Sequence, residues 1–404
     1  MQIKPILSAL KKHRLATILI ALEIALACAV LCNAASMIAT RLSAMNIVSG
    51  VDESSLGILT VTGYAPDQAS DLNARMVAGL RTIPGVESAH VVSTVPFGPQ
   101  GAVSGITLDH KTYPVVVEFY EGDPGTPKAL GLKLVAGHMP VLDDYQVQPK
   151  NGYLPALSRV LVTRALATRL WPGEQAVGKQ FWAGPFQFRV IGVVANLAMD
   201  HPAWWGKRAP GWSVFVPALP GGLLSGSYLI RAKPQELNRV MVAAQAKVRK
   251  IAPNVVIDHA SSHTVGYLRA QFFKADRAMA GLLIGVIVAL LGVTALGIVG
   301  LASFWVAQRR KQIGIRRAIG ATRADILRYF QTENFLIVTF GVVLGIILAI
   351  VVNLALMHVF EVSRLPLWYL PIAAVVLWIL GQLAVLAPAL RASHVPPVVA
   401  TRSV

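Results

Sequence analysis

Residues 308–333 carry seven arginines and lysines between two apolar runs, 279–307 and 335–357. Each run exceeds the roughly 20 apolar residues that a helix needs to cross a bilayer. The cations are Arg309, Arg310, Lys311, Arg316, Arg317, Arg323 and Arg328, against Asp325 and the terminal Glu333. Arg and Lys bias beside membrane spans marks the cytoplasmic side. A topogenic loop needs nothing more than this charge, but here the segment also has internal order.

Placed on a helix, Ile315, Ala318, Ile319, Thr322, Ile326, Tyr329 and Phe330 share one face, and Arg316, Arg317, Arg323 and Arg328 the other. Gly320 stands where a helix would end, and Thr322 with Asp325 forms an N-cap and its reciprocal acid for a new helix. The expectation is an elbow: one span extends inward, turns at Gly320 and Ala321, and a second helix returns.

Residues 312–323, Gln-Ile-Gly-Ile-Arg-Arg-Ala-Ile-Gly-Ala-Thr-Arg, continuing to Ile326, resemble the cytoplasmic motif of the FtsX/MacB-like ABC transporter permeases. In that family this loop meets a separate ATPase subunit. The resemblance therefore implies ATPase-coupling roles for Ile313, Gly314, Arg316, Arg317, Ala318, Gly320, Ala321 and Thr322. The family usually places Glu before the Ile-Gly; this chain has Gln312, which removes that acid and leaves room for a non-identical second permease.

Composition supports a membrane class. Of 404 residues, 54% are hydrophobic and 14% charged, with mean hydropathy +0.57, too apolar for an ordinary soluble protein. The net charge of +17 would suit nucleic acid, but much of it sits beside the apolar runs, which argues against that partner. Residues 1–14 are cationic and precede a run over 15–40, too long for a signal-peptide core and suited to an uncleaved first span with its N-terminus in the cytoplasm. Glu23 lies near the middle of that run. An acid at this depth must face helices or water, either as a contact that moves during transport or as packing at a subunit interface. Cys28 and Cys32, the two cysteines, suit small packing residues and leave the rest of the chain without disulfides.

No run from 41 to 275 is long and apolar enough to span, so this stretch is expected to form an extracytoplasmic domain with its own core. Residues 55–95 and 211–262 each carry a β-α-β pattern of similar length, which suggests a duplicated α+β layer. Residues 96–210, rich in Pro, Gly and short β-branched strands, form an inserted, mostly β subdomain. Strands fit 115–120 and 187–194, and a helix fits 158–170.

Several chemical readings fail here. Residues 173–180 nearly spell a phosphate loop, but Gln180 replaces the magnesium-ligating hydroxyl and a strand-like run follows. Asp143 and Asp144 suit a turn. Asp200 and His201, with His259 and His263, lack metal-ligand spacing, and no G-x-S-x-G is present. The loop at Trp204 and Trp205 either touches lipid or a partner, or caps the β subdomain. Residues 160–171, 177–179 and 190–194 resemble the periplasmic core domain of MacB-like permeases, independently of the elbow.

The remaining segments follow: a second span over 278–307, with Gly281, Gly285 and Gly292 allowing close helix approach; the elbow, 308–333; a third span, 334–357; an external loop, 358–367, with Glu361 and Arg364; a fourth span, 368–390, opening on interfacial Trp368 and Tyr369; and a tail, 391–404, with Arg391 and Arg402 inside. That tail resembles the family's closing segment. The fold class is an α-helical membrane protein with four transmembrane helices and a large α+β extracytoplasmic domain between helices 1 and 2.

The function this implies is the permease subunit of an ATP-driven ABC transporter in the bacterial inner membrane, both termini cytoplasmic and the large domain periplasmic. The chain has no Walker motif, so ATP and Mg belong to a partner ATPase, two copies serving a pair of permease chains, identical or not. By resemblance, the elbow passes ATPase motion through the second span to the external domain, which extrudes an antibiotic, peptide or other amphiphile with a periplasmic adaptor and an outer-membrane channel. Lipoprotein release, or a membrane sensor without a pump, is the alternative. No catalytic residue, metal or bound cofactor is expected.

Overall fold

The computed structural model describes residues 14–113, 115–147, 157–199, 211–221, 224–360 and 364–396. The cationic start before Arg14, the Asp200–His201 pair, the Trp204 and Trp205 loop, Glu361 and Arg402 lie outside the described residues. The chain divides into two units, one made of its two ends and the other of Asn46–Lys274.

Helix α1 (Arg14–Met45) opens the chain. Then come β1 (Leu56–Thr62), α2 (Ala69–Arg81), β2 (Val86–Val91), β3 (Ala102–Ile106), β4 (Val115–Gly122), α3 (Thr126–Leu130), β5 (Leu134–Gly137) and β6 (Gln146–Val147). They are followed by β7 (Ser158–Thr163), α4 (Arg164–Leu170), β8 (Gln180–Ala183), β9 (Phe186–Val194), β10 (Ser213–Leu219), β11 (Ser227–Ala232), α5 (Leu237–Ile251), β12 (Val256–Ile257) and α6 (Val265–Phe272).

The four-stranded sheet has the order β12-β1-β11-β2. β11 pairs antiparallel with both β1 and β2, and β1 with β12. The two β-α-β units therefore interlock, each placing a strand between the two strands of the other, as in split βαβ folds. Apolar residues at helical spacing explain the layer: Leu72, Met76 and Leu80 of α2 and Val240, Ala244 and Val248 of α5 bury against Leu59, Val91 and Ile230. The helices run so close that a Cβ on Gly79 would stand 2.1 Å from Ile251 Cδ1. Arg231 donates to Asp52 at 2.8 Å and Arg269 pairs with Glu53, which fastens the residues after α1 and those before the second span to this unit.

The second sheet follows β3-β4-β10-β7-β9-β5, with β8 on β9 and β6 on β10. Thr107, just past β3, exchanges both backbone hydrogen bonds with Trp182 of β8 (2.8 and 2.9 Å), so the path returns on itself. Phe119, Phe181 and Phe188 fill the interior, the last two stacked at 5.2 Å. Two expectations are corrected. β10 belongs to this sheet, where it pairs with β4 and β7, so the second half of the duplicated layer begins at Ser227 and not at 211. The run 158–170 is a strand and then a helix: Val160, Leu161 and Val162 are β-branched or apolar and bury in the sheet, and Thr163 then caps α4 by accepting from Leu166 N.

The near-phosphate loop forms a turn leading into strand β8, with Lys179 paired to Glu174. Asp144 is buried and accepts from Arg159 and from Val141 N at 2.8 Å, whereas Asp143 does not share that site.

In the other unit, α7 (Lys274–Gln308), α8 (Arg310–Ala318), α9 (Arg323–Phe360) and α10 (Tyr369–Ser393) complete the chain. Among the described residues four helices, α1, α7, α9 and α10, are long and apolar enough to cross a membrane. The packed bundle is chiefly α1, α9 and α10, with Cys28 and Cys32 buried among Val342, Ala349 and Tyr369. Asn33 donates to Ala349 O at 3.2 Å and accepts from Asn353, so the buried amides satisfy one another and the backbone. Helix α7 differs: its buried residues are Ala280, Thr294, Ile298, Ala302 and Trp305, one narrow stripe.

Candidate coupling elbow

Between α7 and α9 the chain makes a hairpin whose turns are set by local chemistry. Arg309 leaves helical geometry (φ −98°, ψ 10°) and separates α7 from α8. At the end of α8, Ala321 N–H reaches back to Arg316 O at 3.0 Å, and Gly320 N–H to Arg317 O at 3.3 Å. These paired bonds are a Schellman motif, which requires a left-handed residue, and Gly320 supplies it with φ +104°. Thr322 and Asp325 then cap α9: Asp325 N donates to Thr322 Oγ1 at 3.2 Å, and Thr322 N donates to Asp325 Oδ2 at 3.0 Å.

The inner face is not the expected one. Ile313, Ile326 and Phe330 bury with Ala389, Ala392 and Val395 from the end of α10 and just beyond. Gly314 is buried beside them, whereas Ile315 and Ile319 are exposed, Ile319 at 82%. The turn at Gly320 resets the helical phase, so the apolar positions of α8 and α9 do not form one continuous stripe. Arg317 is likewise corrected: it turns inward, its Nη1 donating to Ser393 O near the C-terminus of α10, where a cation suits the helix dipole. Arg316 stays outward with its guanidinium 4.8 Å over the Tyr329 ring. Ala318 and Thr322 are exposed and Ala321 is half-buried.

A pair not singled out from sequence completes the elbow. Arg309 Nη1 donates to both oxygens of Glu333, at 3.0 and 2.9 Å, and its guanidinium lies 5.5 Å over the Trp305 ring. The side chains are 12% and 1% exposed. The signal was positional, since the two residues stand nearly equidistant from the turn and a hairpin brings them opposite one another.

Glu23 is half-buried on α1. A Cβ on Gly297 of α7 would stand 2.7 Å from its Oε2, so the acid faces a helix backbone that only glycine leaves open. Among the described residues no group of three or more His, Cys, Asp or Glu could hold a metal ion.

Residues 284–397 match the FtsX-like permease C-terminal family. The chain is 23% identical over 361 residues, 87% of its length, to the macrolide export ATP-binding/permease protein MacB of Shewanella sp. (strain W3-18-1), covering 52% of that protein. It is 26% identical over 247 residues to the pyoverdine export ATP-binding/permease protein PvdT of Pseudomonas putida, covering 58% of this chain and 36% of that protein. It thus spans about half, or less, of the length of these relatives. The crystal structure of the periplasmic region of MacB from Actinobacillus actinomycetemcomitans aligns with 52% of this chain and 91% of its own, at 14% identity and a TM-score of 0.33. The family match falls on α7 to α10 and includes the whole hairpin, and among the described residues one helix of spanning length precedes the α+β domain in sequence and three follow it. This multi-pass chain carries an FtsX-like permease domain over 284–397 and is similar along most of its length to MacB-type export ATP-binding/permease proteins.

Proposed function

We propose that this chain is the membrane subunit of an ATP-driven exporter, in which the elbow is the dock for an ABC ATPase. The observation that carries the reading is Ile319: a large apolar side chain, 82% exposed, held on a turn fixed by a Schellman motif and a capping box. Ile315 is exposed on the same helix, and Arg316, Arg323 and Arg328 surround the turn without burial. An apolar tip ringed by cations fits a pocket with an apolar floor and an acidic rim. ATP and Mg belong to that partner. The docking residues are then Ile315, Arg316, Ala318, Ile319 and Thr322, while Ile313, Gly314, Arg317, Gly320 and Ala321 shape the turn and hold it to α9 and α10.

Two ATPases serve two permease chains. The second chain packs on α7, where a Cβ at Gly281, Gly285, Gly292 or Gly300 would meet nothing within 4 Å, leaving room for a helix backbone. The elbow and both termini face the cytoplasm of a bacterial inner membrane, on the bias of Arg and Lys around the turn. The domain between α1 and α7 works in the periplasm, on an amphiphilic substrate delivered to an adaptor and an outer-membrane channel. The names of the relatives, which export macrolides and pyoverdine, support that substrate class.

Affinity purification of the full chain from its native membrane tests the dock. The expected result is an ABC ATPase in the eluate, lost with Ile319→Asp/Arg316→Glu and retained with Arg391→Glu. Equal recovery with Ile319→Asp/Arg316→Glu would overturn it.

A further inference from the structure

Helix α7 is the span that connects the elbow to the large domain, yet it is the least embedded of the four. Its buried residues from Thr294 to Trp305 form a stripe one side chain wide. Leu282, Ile284, Val286, Val288, Val293 and Leu296 all face outward. At each end an ion pair holds it: Asp276 to Arg41 of α1, and Arg309 to Glu333 of α9.

The two ends are not equivalent. The Arg41–Asp276 pair is about a quarter to a third exposed, the kind of contact that solvent screens. Arg309 and Glu333 are nearly sealed, and the guanidinium is covered by Trp305. Removing one partner of such a pair leaves a charge with neither water nor counter-ion, so the contact resists separation far more than an exposed one. It also sits at a joint, because the backbone departs from helical geometry at Arg309.

The rest of the elbow packs chiefly with α9 and α10, and α7 reaches that cluster through Val306 near its end. Ile313 packs with Ile326, Phe330, Ala389 and Ala392, and Arg317 grips Ser393 O. A force on the exposed tip therefore moves α8 together with the inner ends of α9 and α10. Whether α7 follows depends on the joint.

We propose that the Arg309–Glu333 pair is the pin that makes α7 follow the elbow, so that these two residues set the coupling between ATPase docking and displacement of the second span. They are positioning residues: neither is exposed enough to meet the ATPase. This rests on the elbow being the ATPase dock. Bidentate acceptance from one guanidinium nitrogen fixes Glu333 in distance, and the Trp305 ring fixes the plane of approach, so α7 cannot slide along α9 without breaking the pair. Both hydrogen bonds come from one nitrogen, so a single charged donor at position 309 suffices to hold Glu333.

The experiment uses the full chain with its co-purifying ATPase in lipid nanodiscs, Cys28 and Cys32 replaced by Ala, and nitroxides at Val288→Cys on α7 and Val351→Cys on α9. Both label sites are exposed. The label separation is measured by pulsed electron resonance without nucleotide and with ATP plus vanadate. The expected result is a nucleotide-dependent shift in the parent. In Arg309→Gln and in the isosteric Glu333→Gln, the shifted population falls about tenfold at unchanged ATPase recovery. Arg309→Lys, which keeps the charge, retains the shift. Survival of the shift in both Gln variants, or its equal loss in Arg309→Lys, overturns the pin. Loss of the ATPase from both Gln variants also overturns it, since the pair would then support the dock itself. A parent that brings down no ATPase overturns the docking reading and the pin with it.

Discussion

Thr322 and Asp325 exchange hydrogen bonds across the first turn of α9, each backbone N–H donating to the other's side-chain oxygen. With the Schellman turn before it, this fixes the direction in which the returning helix leaves. A turn so determined by three residues can be taken apart one residue at a time.

Replacing Thr322 and Asp325 together by Ala should cost about 1–2 kcal/mol of local stability. Hydrogen–deuterium exchange is the readout: amides of residues 320–326 should exchange faster, while those of α10 stay protected. Unchanged protection at the turn would mean that the cap contributes nothing.

Gly320→Val places a β-branched residue at φ +104°. The left-handed penalty is about 1–2 kcal/mol for an L residue and larger for a branched one. ATPase recovery should fall although the space around Gly320 is open, with nothing within 4 Å of an added Cβ. Gly320→Asn, which tolerates the left-handed region, should recover most of it.

Ile313 and Ile319 should separate stability from docking. Ile313→Ala opens the cluster shared with Ile326 and Phe330, at a cost of about 2–5 kcal/mol, read as earlier thermal unfolding in detergent. Ile319→Ala should leave unfolding within about 0.5 kcal/mol of the parent and weaken the ATPase complex. The reverse pattern would place the docking face on the inner side of α8.

Glu121 gives a pH dependence remote from the elbow. Burial at the end of β4 pushes its carboxyl from the usual 4.5 up to about 8. The folded chain therefore holds a proton that the unfolded chain releases as pH passes 4.5. The associated stability is complete below that pH and is lost as pH rises toward and through about 8. Denaturant unfolding followed by Trp fluorescence should show stability falling between pH 5 and 8, and Glu121→Gln should flatten that slope.

Much of the elbow was legible because its signals are local. Gly320 ends a helix and Thr322 with Asp325 begins one, whatever surrounds them. The inward face was not legible, since the turn breaks the helical phase and only the end of α10 decides that Ile313, not Ile315, is covered. The role of Arg317 depends on Ser393, distant in sequence. In the large domain the two β-α-β units follow from their repeated pattern, but their interlocked strand order rests on pairings distant in sequence. The assignment of β10 was not legible either, because its partners β4 and β7 are fixed by non-local pairing. The run 158–170 shows the usual ambiguity of a short apolar segment, which β-branched Val160 and Val162 resolve toward strand.

Everything turns on what meets the tip of the hairpin. A photo-crosslinking amino acid placed at Ile319, activated in intact cells, tests this most directly. The account predicts a covalent adduct with an ABC ATPase, abolished when Arg316→Glu is added. An adduct only with lipid or with an extracytoplasmic protein, or labelling of a cysteine at 319 by a membrane-impermeant reagent in unbroken cells, would contradict it.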